Sequence, residues 1–136
     1  MRRQMPSPRP AGRPGVPMKP DSNGPTILLA DDDEGIRRLA GEVLRSYGYT
    51  VLEAADGIEA LEVAAQHPGP IHLLLTDWCM PRLDGEGLIG TLSNRRPETA
   101  ILVMSGDMNG DSPLVLRKPF GARALMESVS GALHEQ

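Results

Sequence analysis

Five side chains in this sequence have types and positions that suit joint chemistry: Asp31, Asp32, Asp77, Ser105 and Lys118. Each lies just past a short apolar run. TILLA precedes Asp31-Asp32, IHLLLT precedes Asp77, AILVM precedes Ser105 and LVLR precedes Lys118. Runs this short and apolar read as strands buried on both faces. Helical patterns separate them, which implies a doubly wound α/β fold with a parallel sheet and right-handed crossovers. Strands of such a sheet point the same way, so the residues that follow them share one edge. Ligands of open α/β sheets bind at that edge.

Three carboxylates on one edge repel each other and attract a cation. Oxygen-only ligands select a hard ion, Mg²⁺ or Mn²⁺. Asp77 is then placed to attack phosphorus and form an aspartyl phosphate. Phosphoryl transfer relies on positioning and charge stabilisation. Lys118 supplies a point charge and Ser105 a hydroxyl for the phosphoryl oxygens. Gly106 leaves space for a donor to approach.

The elements that position these groups follow from pattern. Thr26 to Ala30 is the first strand. The next helix carries Ile36, Leu39, Ala40, Val43, Leu44 and Tyr47 at inward spacing, with Asp33 as N-cap and Gly48 as its stop. Thr50 to Ala54 is a strand, and a helix runs from about Gly57 to Gln66. The central strand starts at Ile71, and His72 inside it reads as a packed residue. Met80-Pro81 breaks regular structure, and Asp84-Gly85 turns the chain into a helix from Gly85 to Asn94. Ala100 to Met104 and Leu114 to Leu116 are the last strands. The final helix starts near Gly121 and buries Ala122, Leu125, Met126, Val129 and Leu133.

Composition narrows the function. The chain has 136 residues and a net charge of −4, room for one domain with a real core. Residues 1–25, rich in Pro and Arg, read as a disordered tail, and residues 26–136 as the folded domain. The tail holds most of the basic surplus, so the folded part is acidic and poorly suited to nucleic acid. Aromatic residues are too scarce for a base-stacking platform. The single cysteine, Cys79, forms no internal disulfide and fits a reducing cytoplasm. No run is long and apolar enough to span a bilayer.

ILLADDDEGIRRL, LLLTDWCMPRLDG, ILVMSG and LRKPF together resemble the receiver domain of bacterial two-component response regulators, over residues 26 to 134. The resemblance implies a flavodoxin-like five-stranded sheet in the order 2-1-3-4-5. It implies phosphorylation by a histidine kinase or a histidine phosphotransfer protein, and a downstream target protein. Asp31 and Asp32 match the acidic pair of the metal site, and Asp77 the phosphoacceptor. Cys79 matches the position that ligates the metal through its backbone carbonyl. Ser105 matches the conformational hydroxyl residue and Lys118 the invariant lysine, whose bond to Pro119 is usually cis. Cys79 and Asp107 flank the site and are placed to set the phosphoryl lifetime.

The sequence departs from this family in two places. The segment from Ser105 to Lys118 is short, so the family's fourth helix is expected to be short or absent. Val115 stands where a switch aromatic is usual. The expected switch is therefore an ordering of the loop 106–113 rather than an aromatic relay. No effector domain follows, which suggests a stand-alone receiver acting as a switch or relay, or a piece derived from a hybrid kinase.

Two other classes compete. A phosphorylation-independent pseudo-receiver would be a binding module with the same fold. An aspartate-based phosphatase of the haloacid dehalogenase type would use Asp31 as nucleophile with Asp33 two residues on, and would leave DWCMPRLDG unexplained. Asp77→Asn separates the three.

Overall fold

The computed structural model describes residues 24–106 and 115–134. The strands are β1 (Thr26–Ala30), β2 (Thr50–Ala54), β3 (Leu73–Asp77), β4 (Ala100–Ser105) and β5 (Val115–Arg117). The helices among the described residues are α1 (Glu34–Ser46), α2 (Gly57–Gln66), α3 (Gly85–Arg95) and α4 (Ala122–His134). All strand pairs are parallel, and the order is β2-β1-β3-β4-β5, as expected. The expectation of a disordered tail falls on residues outside those described, Gly24 and Pro25 apart. So does the expected short or absent helix between β4 and β5, along with Asp107, Leu114 and the loop switch.

Side chains alternate across the sheet and feed two cores. Ile27, Leu29, Leu73, Leu75, Leu102 and Met104 pack with Ala40 and Leu44 of α1 and with Leu125 and Val129 of α4. Leu28, Ala30 and Leu74 face the other way, onto Ala60 and Ala64 of α2 and Leu88 and Leu92 of α3. β1 and β3 contribute to both cores, which is why their sequences are apolar throughout.

Helices α1, α2 and α3 begin at acidic caps. Asp33 accepts from the Ile36 amide at 3.1 Å, and Asp84 from the Gly87 amide at 2.9 Å. At α2 the cap is reciprocal: Asp56 accepts from the Glu59 amide and Glu59 accepts from the Ala55 amide. Gly48 follows α1 with a φ of 97°, a left-handed conformation that glycine enters without strain.

Two sequence expectations for α1 are corrected. Leu39 is 55% exposed and Tyr47 43% exposed, although both fall at inward spacing. The buried stripe is Ala40, Gly41 and Leu44. A Cβ at Gly41 would lie 2.9 Å from Glu53 Oε2, at the flexible end of a side chain from β2, which places this face of α1 beside β2. β3 also starts later than expected, at Leu73. Ile71 is still buried, and its carbonyl accepts from Thr99 Oγ1 at 2.7 Å. His72 is a packed residue as expected: its Nδ1 accepts from the Thr26 amide at 2.9 Å.

Candidate functional site

Strand register assembles the site. Ala30 is the register partner of Thr76, so the next residues, Asp31 and Asp77, emerge side by side from β1 and β3. Asp77 is paired with Met104 and Ser105 with Arg117, so Ser105 and then Lys118 follow one step further along the same edge. β1 and β3 flank the point where the strand order reverses, the crevice where doubly wound sheets bind ligands.

Carboxylate oxygens of Asp31, Asp32 and Asp77 lie within 4.8 Å of one another. Lys118 Nζ bridges two of them, at 3.0 Å from Asp31 Oδ2 and 3.3 Å from Asp77 Oδ1. Asp31 is fully buried, and its other oxygen accepts from the Asp33 amide at 2.9 Å. Asp32 is exposed. Burial pushes the Asp77 carboxyl above its ordinary pKa of 3.8, the Asp31 charge pushes the same way, and Lys118 only partly offsets them. Burial pulls Lys118 down, but its hydrogen bond to Asp31 and the charges of Asp31 and Asp77 outweigh that and raise it. With three carboxylates against one ammonium the pocket keeps an excess of negative charge. That donor set fits a hard divalent cation, which receiver domains bind at such an acidic cluster.

The other expected site residues fall around this centre. Ser105 ends β4, is buried, and its carbonyl accepts from the Lys118 amide at 3.1 Å. Gly106 is exposed, and a Cβ there would be 3.9 Å from Lys118 O, so protein atoms alone do not demand glycine. Cys79 is exposed in the loop between β3 and α3. The Lys118-Pro119 bond is cis, as expected. Asp33 is engaged as the α1 cap, which takes it out of the role the phosphatase reading needs.

Sequence reasoning missed several supporting groups. Arg37 Nη1 donates to the Asp31 carbonyl at 2.8 Å, and Thr76 Oγ1 donates to the Asp77 carbonyl at 2.9 Å. Arg82, in the loop after Asp77, makes a two-pronged contact with Asp56. Only the helical spacing of Arg37, one turn past Asp33, offered a signal.

The fold is thus flavodoxin-like, with an acidic, lysine-bridged pocket at its switch point. Residues 27–130 match the response regulator receiver domain, and the chain belongs to that family. It is 34% identical over 116 residues to the response regulator receiver protein CpdR of Brucella abortus (strain 2308), covering 79% of this chain and 95% of that one. It is 32% identical over 124 residues to the sensor kinase CckA of the same strain, covering 85% of this chain but only 13% of the kinase. Among solved structures, the receiver domain of the hybrid histidine kinase CckA is 37% identical. It superposes with a TM-score of 0.71, over 79% of this chain and 98% of that chain. Among the described residues no helix is long and apolar enough to cross a membrane.

Proposed function

We propose that this chain is a phosphoacceptor of a two-component phosphorelay, phosphorylated on Asp77 and switching a target protein or passing the group on. One observation carries this reading: Lys118 Nζ bridges Asp31 and Asp77 within an acidic cluster at the sheet's switch point.

A histidine kinase or histidine phosphotransfer protein in the cytoplasm presents a phosphohistidine. An Asp77 oxygen attacks phosphorus in line, the phosphorus–nitrogen bond breaks, and the freed imidazole nitrogen takes a proton from solvent. The carboxylates of Asp31, Asp32 and Asp77 and the backbone carbonyl of Cys79 would hold Mg²⁺ or Mn²⁺, which would supply charge neutralisation for the incoming group. Lys118 then exchanges its contact with Asp77 for a phosphoryl oxygen, and Ser105 donates to another.

Trp78 adjoins Asp77 and reports the test. The experiment titrates Mg²⁺ and then adds acetyl phosphate, following Trp78 fluorescence, with intact mass as the count of phosphate. Saturable changes at both steps and one added phosphate, all absent from Asp77→Asn at the second step, are the expected result. A folded protein that binds Mg²⁺ yet gains no phosphate from acetyl phosphate or from a histidine donor would reduce it to a pseudo-receiver.

A further inference from the structure

The loop that carries the chain from Asp77 to α3 is held at both its base and its tip. At the base, the Gly85 amide donates to Trp78 O at 2.9 Å, and a Cβ on Gly85 would lie 2.6 Å from Asp77 O. At the tip, Arg82 has a φ of 68°, a left-handed conformation that costs a residue with a side chain energy. The Leu83 amide donates across it to Pro81 O at 2.7 Å, closing a three-residue turn.

The Arg82 side chain reaches out of this turn to the start of α2. Its Nε donates to Asp56 Oδ2 at 2.9 Å and its Nη2 to Asp56 Oδ1 at 3.0 Å. Asp56 is fixed in turn, because the same Oδ1 caps α2 through the Glu59 amide at 2.8 Å. The next residue, Gly57, lies against Leu83, and a Cβ there would overlap Leu83 O. Two consecutive residues of one corner therefore seat two consecutive residues of the other. The fork does not touch the acidic cluster.

We propose that the Asp56–Arg82 pair is a positioning clasp for the phosphoacceptor loop. It holds the segment between Asp77 and α3 in its cation-ready shape before the cation arrives. This rests on the reading of Asp77 as a phosphoacceptor beside a divalent-cation site. The pair touches neither cation nor phosphoryl group, so its residues are positioning residues. Its effect is preorganisation: apparent affinity scales with the fraction of molecules whose loop is already competent. Exposed ion pairs shift such equilibria by about two- to fivefold and are screened by salt.

The decisive variant is Arg82→Gly in the full chain. Glycine adopts a φ of 68° without strain, so the substitution removes the fork while easing the backbone. Asp56→Asn keeps an oxygen for the α2 cap and removes the charge. Arg82→Lys keeps the charge and loses the fork. Two readouts are taken: amide exchange at Leu83 and Gly85 in metal-free protein, and the Mg²⁺ titration of Trp78 fluorescence. In Arg82→Gly both amides are expected to exchange faster and Mg²⁺ to bind about two- to fivefold more weakly. Asp56→Asn should move both readouts the same way, the double variant should be no worse than Arg82→Gly, and Arg82→Lys should recover part. The difference from the unaltered protein should close at high salt. An Arg82→Gly protein with unchanged exchange and unchanged Mg²⁺ affinity would overturn the clasp and leave the phosphoacceptor reading standing. An unaltered protein that does not respond to Mg²⁺ at all would overturn that reading, and with it the role of the clasp.

Discussion

Lys118 and Asp31 form an ion pair of 3.0 Å in which the carboxylate is fully buried and the ammonium keeps some contact with solvent. The two residues stand 87 positions apart and meet because β1 and β5 end on the same edge of the sheet. Lys118 is the cationic partner that offsets the charge of the buried Asp31 carboxylate.

Lys118→Ala tests that role. It leaves the Asp31 carboxylate buried with its cationic partner gone, a loss of about 2–3 kcal/mol in metal-free protein at neutral pH. Mg²⁺ is expected to restore most of it, and to bind more tightly than in the unaltered chain, because the pocket has lost a positive charge. Phosphorylation by acetyl phosphate should nonetheless fall, since no ammonium meets the phosphoryl oxygens. Urea unfolding with and without Mg²⁺ measures the first two effects. A variant whose stability does not depend on Mg²⁺ would show that the lysine and the cation do not share a task.

Asp77→Asn should stabilise the metal-free protein at neutral pH. The folded pKa of Asp77 is raised above 3.8, chiefly by burial. A raised acid binds its proton more tightly in the folded state. The stability this gives is complete below the unfolded value and is lost as pH rises through the folded one. At pH 7 the ionised carboxylate is thus a net burden, which an uncharged asparagine removes. The melting temperature of the variant should exceed that of the unaltered chain at neutral pH, and the gap should shrink as pH falls through the raised folded value and be closed below 3.8. A gap that widens in acid would mean that pairing with Lys118 outweighs burial.

The sequence showed the strand ends well, for a physical reason. A strand buried on both faces carries no charged side chain before its end here, only apolar residues and threonines, so the first carboxylate after IHLLLT or TILLA marks where the sheet stops. The meeting of Asp31, Asp77 and Lys118 then follows from parallel topology alone. The orientation of α1 was less legible. Leu39 and Tyr47 satisfy the helical period, but the stripe that settles on the sheet is Ala40, Gly41 and Leu44, two of them too small to stand out as core residues in the sequence. The clasp was hidden for another reason. Asp56 and Arg82 lie 26 residues apart, and each reads on its own as an ordinary polar residue. Charge pairs between loops leave no periodic trace.

Glycines in α3 should respond in opposite ways to the same substitution. Gly85→Ala sets a methyl group 2.6 Å from Asp77 O and 2.9 Å from Trp78 Cα, both backbone atoms that cannot move aside cheaply. The expected cost is about 1–3 kcal/mol, with weaker Mg²⁺ binding because the displaced atoms belong to Asp77 and its neighbour Trp78. Gly90→Ala meets nothing within 4 Å in the same helix. It should stabilise by about 0.5–1 kcal/mol through backbone entropy and leave Mg²⁺ binding unchanged. Thermal unfolding of the two variants provides the comparison, and an equal effect from both would contradict the packing described at Gly85.

Arg96 holds the opposite end of the domain. Its Nη1 donates to Gly69 O at 2.9 Å, and its Nη2 to Ala64 O at 2.9 Å and His67 O at 3.0 Å. The last carbonyls of a helix lack partners within it, and a cation is favoured there. One guanidinium thus closes α2 and ties it to the end of α3, where Arg96 is itself the C-cap. A flat fork with several donors reaches three carbonyls at once, which a lysine ammonium on a flexible stem does not. Arg96→Ala should cost about 1–3 kcal/mol, and Arg96→Lys should recover only a small part of it. Neighbouring Arg95 is exposed, and Arg95→Ala should change stability by less than about 0.5 kcal/mol. Mg²⁺ affinity should be the same in all three variants, because this contact lies at the edge of the sheet away from Asp77. Full recovery by lysine would mean that charge at the helix end, rather than the geometry of the fork, holds α2 and α3 together.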